Sequence, residues 1–151
     1  MKLRYAKAVA AGLAGIGIIM TIWIVSGQLA ESHDQNIIRH LIKTRIDAMN
    51  QFYASEVSYM EASAELRRVE AGHLLEEDST NLRRYFRTDI EEIQTYTISR
   101  IELKDHTDNL LSAEVDIRWN VTGLDGPEMF ENTYFAMCEK DCEKFKLTEF
   151  F

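Results

Sequence analysis

Between Ala8 and Val25 the chain reads AVAAGLAGIGIIMTIWIV, eighteen residues without a charge, and the uncharged stretch continues to Ala30. An α-helix rises about 1.5 Å per residue, so a run of this length spans the roughly 30 Å hydrocarbon core of a bilayer. A helix in a water-soluble protein keeps a polar stripe over such a length. The run therefore reads as a transmembrane helix over residues 8–27. Lys2, Arg4 and Lys7 precede it and the next basic residue is Arg39. The positive-inside bias then leaves a short cytoplasmic tail, residues 1–7, and carries residues 28–151 to the periplasmic side of the inner membrane.

A cleaved secretory leader is the rival reading, with Val25 and Gly27 as the small residues ahead of the cut. The apolar run exceeds the roughly 7–15 residues of a leader, and Trp23 sits where an interfacial anchor belongs. An uncleaved signal anchor fits better. Within it Ala8 with Gly12, and Ala11 with Gly15, repeat the small-xxx-small spacing that lets two membrane helices approach closely. The plain alternative is that glycine and alanine are common in membrane helices.

Beyond the anchor, length and composition fit one globular domain: 151 residues in all, 46% apolar, a single proline. The chain carries 17 Lys and Arg against 25 Asp and Glu, a net of −8, and three of the basic residues lie in the tail. So acidic a domain is excluded as a general nucleic-acid binder and is expected to stand off anionic lipid.

No proline or glycine interrupts the chain between Gln28 and Ala71, where Ile38, Leu41, Ile42, Ile46, Met49, Phe52 and Tyr53 recur at helical spacing. Either one helix of about forty residues or two, broken near Ala54 and Ser55, satisfies the pattern. Ser32 or Asp34 caps its start and Gly72 stops it. A further helix is expected from a cap at Asp78, Ser79 or Thr80, through Leu82 and Tyr85 to Ile93. After Thr95 the period falls to two. Tyr96–Leu103 makes a strand with a bulge between Ile98 and Ile101. Leu111–Thr122 makes a second, with six apolar residues on one face and six polar ones on the other. Phe130–Cys138 and Cys142–Phe150 make the third and fourth. The expected class is α+β: helices packed on one face of a four-stranded antiparallel meander.

Cys138 and Cys142 enclose three residues where the last two strands meet, so a hairpin disulfide is the expected reading, ahead of two free thiols and of a redox or metal role. His33, His40, His73 and His106 follow no metal-ligand spacing. Asp89, Tyr85, Asp116 and Tyr134 are the groups a proton-transfer site would draw on, though no spacing selects them. Asn120–Thr122 matches a glycosylation pattern, which inside a strand reads as chance. Among the aromatics of the third strand, Phe130, Tyr134 and Phe135 are candidate partner contacts. No metal or cofactor is expected.

Helices followed by an antiparallel meander, closing on CEKFKLTEF with aromatic and aliphatic residues alternating with lysine, resemble the cystatin-like superfamily that includes nuclear-transport-factor-two-like domains. With an N-terminal anchor the whole is similar to the inner-membrane periplasmic subunits of type IV secretion and conjugation machines. The resemblance implies a non-catalytic assembly factor that binds other membrane or periplasmic proteins; a homo-oligomer is a further partner expectation. Three alternatives stand beside it: an accessory subunit stabilising a membrane enzyme such as a respiratory complex, an anchored ligand binder or enzyme, and a minor pilin. The pilin reading lacks its processing site, because the glycines lie inside the apolar run and no glutamate occurs there.

Overall fold

In a computed structural model, residues 32–85, 92–123 and 126–151 are described. The anchor, residues 8–27, with Ala8, Ala11, Gly12 and Gly15, lies outside them, as does Asp89. Among the described residues no helix is long and apolar enough to cross a membrane. His33–Phe151 form one compact unit.

Helix α1 spans His33–Tyr53 and places Ile38, Leu41, Ile42, Ile46 and Phe52 on its buried side, as the spacing predicts. It ends at the expected break, where Ser55 takes a φ of 62°. Helix α2, Tyr59–Val69, starts on a capping box in which Ser58 and Glu61 satisfy each other's backbone N–H groups. Helix α3, Gly72–Arg84, corrects the expected boundary: Gly72 opens this helix rather than closing the previous one, and Asp78 sits mid-helix rather than at a cap. The reason is tertiary. Asp78 is buried against Arg45 of α1, 33 residues away, and so is not available to cap.

Strands β1 (Glu92–His106), β2 (Leu110–Gly123), β3 (Gly126–Asp141) and β4 (Lys144–Phe150) follow as an antiparallel meander in the order β1-β2-β3-β4. The chain is thus α+β, as expected. The bulge foreseen after Ile98 is present, with two more after Ile93 and Leu103. β2 pairs β3 without a break from Leu110↔Glu139 to Gly123↔Gly126. β4 is much shorter, and its pairing with β3 runs from Asp141↔Lys144 to Ala136↔Phe150.

Leu111, Ala113, Val115, Ile117, Trp119 and Val121 of β2 all point into the core and meet Ile38, Leu41, Ile42 and Ile46 of α1. A second cluster, Ala48, Phe52, Ala62, Leu66 and Leu82, joins the three helices to one another. The opposite sheet face is ionic. Arg100 binds Asp116 and Glu102, Lys104 binds Glu102 and Glu114, and Arg118 binds Glu131. One apolar face under helices and one charged face in water is what strict alternation in β2 requires.

Candidate functional site

Ionisable groups inside the domain converge at one place. Arg45 of α1 donates through Nε to Asp78 Oδ2 at 2.7 Å and through Nη2 to Oδ1 at 3.0 Å. Glu70, at the α2–α3 junction, is fully buried with Oε1 3.1 Å from Arg45 Nε. Because that N–H is aimed at Asp78, neither Glu70 carboxyl oxygen has a hydrogen-bond partner among the described residues. Burial pushes Glu70 up to about 9, the charge of Asp78 adds to the rise, and Arg45 opposes it. Glu70 therefore carries a proton at neutral pH, which Asp78 can accept in a hydrogen bond. Tyr53 is raised as well, chiefly by burial and then by Asp78. Phe150 closes the cluster from the sheet side, its ring centre 5.0 Å from the Arg45 guanidinium carbon.

Phe150 also ends a row of rings crossing all four strands. Tyr96, Trp119, Tyr134 and Phe150 lie 5.8, 6.1 and 4.9 Å apart in turn. Burial raises the pKa of Tyr96, and the bond its hydroxyl donates to Asp47 at 2.7 Å adds to the rise. Trp119 Nε1 is buried without an acceptor among the described residues. This row is core: it seats α1 on the sheet.

An open groove of about 710 Å³ runs between the start of α1, the end of α2 and the β3–β4 hairpin. Its apolar lining is Ile37, Leu41, Val69 and Phe145, and its rim carries Arg67, Arg68, Lys144 and Lys146 with His33 and His40. Glu143 is the single carboxylate in the lining. The groove is locally richer in basic residues than the net charge of the chain suggests, although Arg68 pairs with Glu65 at 2.8 Å and Lys146 with Asp141 at 3.1 Å.

The sequence-derived candidates separate. Cys138 is buried with its thiol pushed up to about 12 by burial, and Cys142 is exposed; both are free. The expected disulfide geometry is not met because β3 continues to Asp141, so that Cys142 and Glu143 form the turn and Cys138 faces Leu147. Tyr134 is in the ring row and Phe135 lies on the ionic face of the sheet beside Phe151, at 5.5 Å. Phe130 remains 41% exposed, next to Met129 at 71%. Asp116 is committed to Arg100 and Thr133, which hold its carboxyl below the usual range. Among the described residues no three His, Cys, Asp or Glu side chains form a metal set. Sequence reasoning missed the Arg45–Glu70–Asp78 cluster; the only local signal is an arginine on the helix stripe of α1.

No protein family and no curated protein matches the chain. Two solved structures similar to it are a de novo designed β-sheet protein studied by NMR and the intermembrane-space region of the chloroplast protein ARC6. The first has 16% identity over 78% of this chain and 87% of that one, with a TM-score of 0.43. The second has 10% identity over 76% and 94%, with a TM-score of 0.42.

Proposed function

We propose that this chain is a non-catalytic, single-pass inner-membrane protein whose periplasmic domain, of cystatin-like architecture, holds other proteins in a bacterial envelope complex of the secretion or conjugation type. The observation that carries the reading is where the domain's ionisable groups go. The Glu70–Asp78 pair is shut under Arg45, and Asp116 is held by Arg100 and Thr133. A general acid or base has to reach a substrate proton, and Glu70 is fully buried. What faces outward instead is binding surface: the basic groove and the exposed pair Met129 and Phe130. Joined to an uncharged run of eighteen residues, this suits a tethered scaffold.

Photo-crosslinkers placed at Ala11 in the anchor and at Arg67 on the groove rim, in the full chain in its native membrane, test it. The expected result is a common set of envelope proteins captured from both positions. Capture of none, or a reporter behind Phe151 that is active only in the cytosol, overturns the reading. The groove favours one second reading, an anchored binder of a small anionic ligand. That reading predicts that Arg67→Glu with Lys144→Glu abolishes ligand binding while leaving the captured proteins unchanged.

A further inference from the structure

A sheet edge leaves backbone N–H and C=O groups unpaired, and natural proteins cover such groups or flank them with charge. β4 is an edge strand. Which of its groups face outward follows from the ladder. The pair Lys140↔Phe145 lies between Asp141↔Lys144 and Glu139↔Lys146, and the Lys140 N–H donates to Asn109 at 3.0 Å, on the β2 side. Lys140 thus turns away from β4, and in an antiparallel ladder the residue opposite it turns away as well. Leu147, two residues on, faces the same way: its carbonyl accepts from the Ala71 N–H at 3.0 Å, where the α2–α3 junction bridges the edge. Phe145 has no such cover. Its N–H and C=O bond nothing among the described residues, and Phe145 forms part of the wall of the groove of about 710 Å³.

Phe145 shares the inner face of the sheet with Leu147, so a residue paired opposite it sends its side chain to that face. There the apolar floor of Ile37, Leu41 and Val69 receives it. The residues before and after that one come to lie opposite Lys144 and Lys146, on the other face. Lys146 already pairs with Asp141 at 3.1 Å. Lys144 and Arg67, both lining the groove, have no carboxylate partner among the described residues. The strand that fits is therefore acid, aliphatic, acid. A second copy of β4 does not fit, because pairing about Phe145 would set lysine against lysine, and like charges directly opposite destabilise a sheet.

We infer that the groove takes an extended segment of another protein, added to β4 beside Phe145, in which one aliphatic residue is flanked on both sides by Asp or Glu. The inference rests on the assembly reading and says how one partner is held. Phe145 supplies an N–H and a C=O to the segment's backbone, the floor takes the aliphatic side chain, and Lys144 takes a flanking carboxylate. Arg67 adds positive charge from the α2 side. Backbone pairing sets this occupant apart from a small amphiphilic anion, which uses the floor and the cations and leaves the Phe145 groups bare.

The probe is the peptide Gly-Ser-Asp-Leu-Asp-Ser-Gly, blocked at both ends and labelled with fluorescein, titrated with the full chain in detergent and read by anisotropy. It is expected to bind, and at saturation the Phe145 amide proton should exchange about tenfold more slowly. Methylating the amide nitrogens of Leu and of the Asp after it removes the donor to Phe145 whichever way the segment runs, and should weaken binding. Arg67→Glu with Lys144→Glu should weaken the parent peptide about tenfold and instead bind the peptide with Lys in place of both Asp, a rescue that a misfolded variant cannot show. No binding, an unchanged Phe145 exchange rate, undiminished binding of the methylated peptide, or binding of decanoate but not of the peptide overturns the inference. Envelope proteins still captured from Ala11 by a chain that binds no peptide remove this inference alone. Peptide binding by a chain that captures no envelope protein removes the wider reading alone.

Discussion

Arg45 lies beside two buried carboxyl groups, those of Glu70 and Asp78, and it is itself only 14% exposed. Removing one partner of a buried ion pair strands the other's charge, at a cost of about 3–5 kcal/mol. Arg45→Ala should therefore destabilise the domain by about that amount in chemical denaturation, and a loss near that of a surface arginine would refute the assignment. The neighbouring acid has the opposite logic. Glu70 holds a proton in the folded state that the unfolded chain releases, because its pKa is raised by burial and then by Asp78. Its contribution to stability is then full below the ordinary carboxylate range and declines as pH rises to about 9. Glu70→Gln keeps the shape and cannot ionise. Its stability should be nearly flat over that interval where the parent's falls, and parallel curves would show that Glu70 is charged in the native state.

At the scale of elements, the two helix boundaries around α2 and α3 predict effects of opposite sign. Ser55 carries a side chain at φ 62°, a region that costs an L-residue about 1–2 kcal/mol. Ser55→Gly relieves this, offset by the larger entropy of the unfolded glycine, and should stabilise by about 0.5–1 kcal/mol. Gly72 sits at φ 61° with no atom near the place a Cβ would occupy. Gly72→Ala should nonetheless destabilise by about 1 kcal/mol, since the penalty lies in the backbone and not in a clash. Equal effects in thermal unfolding would contradict both. These boundaries also show which parts of the fold were legible in sequence. The break at Ser55 and the alternation of β2 are local patterns, written in neighbouring residues. The start of α3 was not legible, because Asp-Ser-Thr signals a cap and only a distant arginine turns Asp78 inward. The β3–β4 turn lies later than the spacing of Cys138 and Cys142 suggests, because β3 runs past Glu139, its last partner on β2, and pairs with β4 as far as Asp141↔Lys144. The basic groove was hidden by net charge, which averages over surfaces that the fold separates.

For the whole molecule, the outer edge of β1 is where pairing between copies would propagate if it were bare. Three bulges break it, and the side chains of α1 that reach Ile93, Ile98 and Ile101 cover its carbonyls. Arg39→Ala with Asn50→Ala uncovers two of these carbonyls while leaving the apolar stripe of α1 intact. Against the parent chain in the same detergent, the double variant should shift toward larger, concentration-dependent species, read by light scattering after size-exclusion chromatography. If it does not, the bulges of β1 alone suffice to blunt that edge, and the helix donors serve only to dock α1.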